Sequence, residues 1–274
     1  MVKIKLTGRL GNQMFQFAFA YLAAKKKKDF IIIQPASHFG YCLDVFRLPF
    51  IAGGFPRRMM LLINRLLVKI FKPTSKLSFL SCFYSLQIPE IKGITEIEGY
   101  FQDGKSWTPY RAEMLKLFSI RSEIRKRFEA KYSALLNKKL LVFNVRLGNY
   151  KQAFFEEIQS HGLLPKEWYL NALSTVDIQQ YDHLLVISDE VGEVRKNFGL
   201  DQYDPIYIDD GMETDFQFMM HADCLILSNS TFSWWAAFLN ERPDKRIIAP
   251  KYWVGYHVKK EYPSGIIPDD WEQL

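Results

Sequence analysis

The sequence predicts an α/β fold with parallel strands, divided into two domains, on three observations. Short apolar runs rich in branched residues recur at 30–33, 140–143, 184–187, 206–208, 224–227 and 246–249. They scarcely alternate between apolar and polar residues, which is how strands buried on both faces read. Segments with helical patterning separate several of them, favouring parallel pairing over an antiparallel sandwich. At 274 residues the chain is long for one compact domain and short for three. The boundary falls between 120 and 140, and domains of 1–130 and 131–274 are expected.

Taken in order, the chain opens with a strand over 2–6, a helix from about Asn12 to Lys27, and the strand at 30–33. The segment Arg57 to Lys72 follows, with cations at 58, 65, 69 and 72 on one side of a helix and Met, Leu, Ile and Val elsewhere. It reads either as a helix packed on its own domain with a solvated edge or as a peripheral contact to an anionic membrane. A basic helix from Arg121 to Lys139 leads into the strand before Asn144. The remaining runs form a doubly wound second half. Thr214 with Gln217 three residues on makes a capping box, which predicts a helix over 215–222.

Composition narrows the class. With 48% hydrophobic and 24% charged residues the chain is an ordinary globular protein, neither disordered nor fibrous. Net charge is +6 and the isoelectric point about 9.0, which suits an acidic partner. No nucleic-acid-binding signature accompanies the basic clusters at Lys25–Lys28 or 57–72, so nucleic acid is not expected. Cys42, Cys82 and Cys224 form no C-x-x-C pair and leave one odd, which argues against a disulfide framework or zinc site. The absence of an apolar leader or of 18 uninterrupted apolar residues leads to the expectation of a cytoplasmic protein.

Three strand-to-helix turns carry the candidate chemistry. In Ser228-Asn229-Ser230-Thr231, a buried run ends, small polar residues follow, and a new apolar segment with Trp234, Trp235 and Phe238 begins. At the carboxyl end of a strand in an open sheet, free N–H groups and hydroxyls suit a phosphate oxygen, although Ser and Thr also cap helices routinely. Arg146 in Asn144-Val145-Arg146-Leu147-Gly148-Asn149-Tyr150 stands at a second strand end. Its guanidinium fork matches a diphosphate and could stabilise charge on a leaving phosphate; an ion pair between domains is the alternative. Thr7 to Gln16 is a third turn, with Gly8 and Gly11 permitting close approach. It lacks both the G-x-G-x-x-G spacing and the P-loop lysine, which weighs against a dehydrogenase or an NTPase. No D-x-D occurs and the five histidines are scattered, so no metal is expected.

Assembled, these segments resemble the bacterial α-1,2-fucosyltransferases of glycosyltransferase family 11 over essentially the whole chain. The anchors are Gly8-Arg9-Leu10-Gly11-Asn12-Gln13-Met14-Phe15-Gln16, Gly99-Tyr100-Phe101-Gln102, Ser188-Asp189-Glu190, and Ser228 to Trp235 followed by Ile248 to Trp253. The resemblance implies a GT-B architecture of two Rossmann-like domains facing a cleft. It further implies that GDP-fucose binds mainly to the C-terminal domain and that the sugar passes, with inversion, to the 2-hydroxyl of a terminal galactoside in a surface glycan. The expected partners are a GDP-sugar donor and a galactose-terminated acceptor that can be lipid-linked, met at the inner face of the membrane. No cofactor is implied.

The resemblance also assigns residues. Arg146 matches the diphosphate contact of the wider fucosyltransferase superfamily, and Asp215 falls where a carboxylate reads guanine, whose N1–H and N2–H donors it can accept. A helix-cap role is the competing explanation for Asp215. Asn144, Asp189, Ser230, Thr231 and Phe232 complete the expected donor site. Asn12 matches an asparagine that lies at the acceptor hydroxyl in protein O-fucosyltransferases, and Gln13 and Asn149 are expected on the acceptor side. The family's His-x-Arg-Arg-Gly-Asp-Tyr is altered here at Asn144, Leu147 and Asn149, which removes any general base at position 149. A transferase of another sugar nucleotide and a silent nucleotide- or glycan-binding homologue are the rival readings.

Overall fold

The computed structural model of the protein describes residues 1–34, 42–48, 57–79 and 93–274. The chain divides into two compact units, Met1–Arg121 and Ser122–Leu274. The division precedes the boundary expected at 130, because the basic helix packs with the second half: its Phe128 meets Phe218 edge-on at 4.9 Å.

The first unit holds β1 (Val2–Lys5), α1 (Leu10–Lys27), β2 (Ile31–Gln34), α2 (Arg57–Ile70), β3 (Ser75–Phe79), β4 (Thr95–Gly99), α3 (Gly104–Trp107) and α4 (Arg111–Leu117). Its strands form a parallel sheet in the order β2-β1-β4-β3. The apolar pattern did not anticipate β3 and β4, because charges interrupt them. On β4 the burial alternates, and the half-buried positions are Glu96 and Glu98. Glu96 pairs with Lys3 at 3.1 Å, and Glu98 pairs with Lys5 at 2.9 Å and Lys76 at 2.8 Å. Hydrogen bonds from Lys76 and Lys5 hold the Glu98 carboxyl below its usual range. The opposite face is apolar, with Val2, Ile4 and Ile97 buried. Helix α1 lies across this sheet almost wholly buried, and among the described residues no helix is long and apolar enough to cross a membrane.

The second unit contains α5 (Ser122–Leu136), β5 (Leu140–Val145), the short pair β6 (Phe154–Phe155) and β7 (Ser160–His161), and α6 (Lys166–Ser174). There follow β8 (His183–Ser188), α7 (Val191–Asn197), β9 (Ile206–Ile208), α8 (Met212–Met220), β10 (Cys224–Ile226), α9 (Thr231–Phe238), β11 (Arg246–Ala249) and β12 (Glu272–Gln273). Six strands make one parallel sheet in the order β12-β11-β10-β5-β8-β9. Counting from β5, that is the doubly wound order 3-2-1-4-5-6, whose winding reverses between β5 and β10. All six residues of β5 are buried, as the unalternating runs predict. The capping box is not realised: α8 starts at Met212 behind Gly211, whose carbonyl accepts from the amides of Thr214 and Asp215. Gly211 has φ +84°, a conformation glycine adopts freely, and this moves the helix start ahead of Thr214.

Trp234 and Trp235, within α9, form its packed inner side beneath the Ser228–Thr231 turn. Both are fully buried; Trp234 stacks on Phe238 with centroids 4.7 Å apart and donates its indole N–H to the Ile266 carbonyl at 2.7 Å. Replacing Trp234 by Ala removes this packing and strands a buried carbonyl, so the second unit should lose about 3–5 kcal/mol of stability. Urea unfolding followed by circular dichroism measures it; a loss under about 1 kcal/mol would contradict the packing described.

Candidate active site

The winding reversal places the ends of β5 and β10 side by side, which is where ligands bind in open α/β sheets. The two candidate turns are therefore neighbours, and direct bonds join them. The Asn144 side-chain oxygen accepts from the Ser228 hydroxyl at 2.9 Å, while its amide donates to the Ile187 carbonyl at 3.5 Å. Tyr150 donates its hydroxyl to the Asn229 carbonyl at 3.1 Å. Asn144, expected as a donor contact, is buried and spans β10, β5 and β8; it positions the turns rather than presenting a free group.

Arg146 is held on several sides. Its guanidinium pairs with Asp189 at 3.1 Å, donates to the Asn149 side-chain oxygen, and lies 5.5 Å from the Tyr150 ring centroid. Its backbone N–H donates to the buried Tyr169 hydroxyl at 3.3 Å. The other oxygen of Asp189 accepts from the Leu147 amide at 2.9 Å. A Cβ on Gly148 would lie 2.1 Å from the Asp189 carboxylate, so only glycine allows this approach. Asp189, expected in the donor site, thus aims the arginine, and Asn149, expected on the acceptor side, turns to Arg146.

In the turn after β10, Ser230 is the N-cap of α9, its hydroxyl accepting from the Phe232 amide at 3.3 Å. Capping, the alternative function of this hydroxyl, is therefore realised, and the turn still presents a helix N-terminus at the strand end. Ser233 donates to the carbonyls of Ser228 at 3.2 Å and Ser230 at 3.0 Å. Asn229 donates to the Gly162 carbonyl at 2.7 Å. Phe232 meets Phe216 with centroids 5.3 Å apart, joining α9 to α8 one residue from Asp215.

Asp215 is mostly buried, and burial together with Asp209 and Asp210 raises its carboxyl to about 7. One of its oxygens has no hydrogen-bond partner, and the same holds for Arg146 Nε and the Asn229 side-chain oxygen. Orphaned buried polar atoms are rare, and here three belong to residues of one candidate site. A recess of about 420 Å³ between α5 and the start of α8, lined by Phe128, Lys131, Tyr132, Asp210, Thr214 and Gln217 among others, adjoins the same helix.

In the first unit Asn12, half-buried near the start of α1, accepts from Gln102 at 3.1 Å, which links two of the sequence anchors. Gly8 at φ +71° leaves room for the Asn12 amide. Gln13 is fully buried and its amide bonds to the Gly8 carbonyl and the Cys42 amide, at 2.9 and 2.8 Å, so it shapes the turn and does not face an acceptor. Gln16 does the same for Thr7. Cys42 and Cys224 are free thiols, and Cys82 lies outside the described residues. No group of three or more His, Cys, Asp or Glu among the described residues could hold a metal. Sequence reasoning did not find Tyr169 or the Asp209-Asp210 pair; neither forms a recognisable motif, and both act through the fold.

Two α/β units with parallel sheets, the second doubly wound and with Arg146 at the strand end next to the turn that starts α9, define a protein of the GT-B class. The chain belongs to glycosyl transferase family 11, whose model matches residues 100–271. It is 26% identical to the O-antigen biosynthesis glycosyltransferase WbnK of Escherichia coli, covering 98% of this chain and 99% of that protein. It is 25% identical to an α-1,2-colitosyltransferase of the same organism, over 92% of each. Among solved structures it resembles POFUT1 in complex with GDP (TM-score 0.57, 15% identity, 90% of this chain and 97% of that one). It also resembles the NodZ α-1,6-fucosyltransferase of Bradyrhizobium co-crystallised with GDP (TM-score 0.55, 15% identity, 91% and 94%).

The raised carboxyl of Asp215 has a consequence for stability. Its folded value, about 7, exceeds the ordinary 3.8, so the folded state keeps its proton where the unfolded chain has lost it. Stability is therefore full below about pH 4 and declines as pH rises to about 7, by on the order of 2–4 kcal/mol. Asp215→Asn should flatten that decline and stabilise the protein at about pH 8, as read by urea titrations at several pH values; an unchanged slope would refute the assignment.

Proposed function

We propose that the protein transfers L-fucose from GDP-fucose to the 2-hydroxyl of a terminal galactoside during surface-glycan synthesis. The observation that carries this reading is Arg146, clamped by Asp189 at the winding reversal and bonded through its loop to the turn that starts α9. Such an arrangement suits a diphosphate leaving group, and GDP is the nucleotide bound by POFUT1 and NodZ. Asp215 adds base specificity: an ionised carboxylate can accept both the N1–H and N2–H of guanine, whereas adenine would leave it unpaired.

In the proposed reaction the bond between the anomeric carbon and the β-phosphate oxygen breaks while the acceptor oxygen attaches from the opposite face. Arg146 and the Ser230–Thr231 turn receive the charge that develops on the diphosphate, while Phe232 lines the nucleotide pocket. Asn12 orients the acceptor hydroxyl, whose proton leaves to the departing phosphate or to water. No metal is needed for this charge stabilisation. The α-1,2-colitosyltransferase among the relatives favours a second reading, in which the nucleotide is kept and the sugar differs. Transfer assays with GDP-fucose, GDP-colitose, GDP-mannose and UDP-sugars on galactose-terminated glycans discriminate between them; failure of every GDP-sugar would remove both.

Arg146→Ala should reduce turnover by about two or more orders of magnitude with intact folding, and near-normal turnover would sink its role. GDP binding measured by calorimetry should strengthen as pH rises through about 7, since the guanine donors require the ionised Asp215. In Asp215→Asn that pH dependence should vanish and GDP should bind about ten-fold or more weakly, while ADP binding, already poor, changes little.

A further inference from the structure

Helix α2 presents a second surface, unconnected with nucleotide binding. Asn64 pins it to the edge of the first sheet by accepting from the Ile33 amide at 3.1 Å and donating to the Ile33 carbonyl. Leu67, Val68 and Phe71 are half-buried and continue that inner face. The outer face is apolar where a solvated helix edge would be polar: Ile63, Leu66 and Ile70 are 42, 57 and 67% exposed and follow i, i+3, i+7 spacing. Beside this strip run Arg65, Lys69 and Lys72, all exposed, at i, i+4, i+7. Residues 57–72 contain no acid, and among the described residues no carboxylate pairs with these three cations. Phe30, 69% exposed, stands three residues before Ile33, separated by Asp29 from the exposed Lys25–Lys28 run.

We propose that the outer face of α2 docks on an anionic lipid bilayer, with Ile63, Leu66 and Ile70 entering the headgroup boundary and Arg65, Lys69 and Lys72 meeting lipid phosphates. A narrow aliphatic strip flanked by unpaired cations is what an interfacial helix requires, since modest apolar burial and charge attraction add. A protein interface of comparable strength centres on Trp, Tyr or Arg anchors in packed pockets, and the described outer face carries no aromatic residue. This inference is independent of the donor reading, because every residue it uses lies in the first unit.

Co-sedimentation of the full chain with vesicles tests it. The protein should pellet with vesicles containing phosphatidylglycerol and remain in solution with phosphatidylcholine alone, and high salt should release it. Arg65→Gln with Lys69→Gln should lower the partition coefficient about 30-fold. Leu66→Ser with Ile70→Ser should weaken binding even at low salt. Unchanged melting and unchanged GDP binding in these variants confirm that folding and the second unit are intact. Equal pelleting with both vesicle types, no pelleting with either, or full binding by either double variant would overturn the proposal. So would self-association in analytical ultracentrifugation that Leu66→Ser with Ile70→Ser abolishes while vesicles remain unbound, since the strip would then serve a second copy of the chain.

Discussion

The second unit is organised around the parallel pairing of β5 with β10, the one place in its sheet where the winding changes direction. Between β5 and β8, β8 and β9, and β10 and β11 a helix crosses over on a face of the sheet; at the reversal the two connections depart to opposite sides and leave a crevice outside the strand ends. Buried polar groups there must find partners or wait for a ligand. Asn144 and Ser228 satisfy one another across the seam, and Tyr150 closes the gap to Asn229. Arg146 then projects from a backbone already immobilised by Tyr169 and Asp189. A guanidinium aimed by so many contacts needs little reordering when an anion arrives, which is the advantage of preorganisation.

The altered motif from Asn144 to Tyr150 makes sense on these terms. Asn144 accepts from Ser228 and donates to Ile187 at once, because its amide carries an acceptor oxygen and a donor nitrogen on one carbon. Asn149 supplies a neutral oxygen to Arg146 beside the carboxylate of Asp189, so these three side chains carry no net charge, where an aspartate at 149 would leave them net negative toward an incoming anion. Leu147 is buried in the core beneath, where a second arginine would require a partner of its own.

The first unit solves a different problem. A four-stranded parallel sheet whose β4 carries glutamates at alternate positions needs cations opposite them, and Lys3, Lys5 and Lys76 supply these from both neighbouring strands. The ladder sets the strand register on one face while apolar residues set it on the other. Its edge, β2, is the side to which Asn64 pins α2, so the helix covers backbone groups that would otherwise be open to other strands.

Local patterning alone identified the buried strands of the second unit, the helix expected from about Asn12 to Lys27 and found from Leu10, and the turns at the ends of β5 and β10, because unalternating apolar runs and strand-end punctuation are properties of contiguous residues. It missed β3 and β4, since the charges that stabilise them are satisfied only by strands distant in sequence. It also misplaced the start of α8, where a positive-φ glycine outweighed a capping motif. The chemistry of the candidate site divides the same way. Arg146 and Ser230 could be picked out as residue types at strand ends, but whether Asn144, Asp189 and Gln13 face a ligand or hold the scaffold depends on which elements fold against them. Their hydrogen-bond partners lie 84, 42 and 29 residues away in sequence. Sequence determines which groups stand at the ends of strands; only the tertiary fold decides which of them are already satisfied, because satisfaction is a contact between segments and no local pattern encodes it.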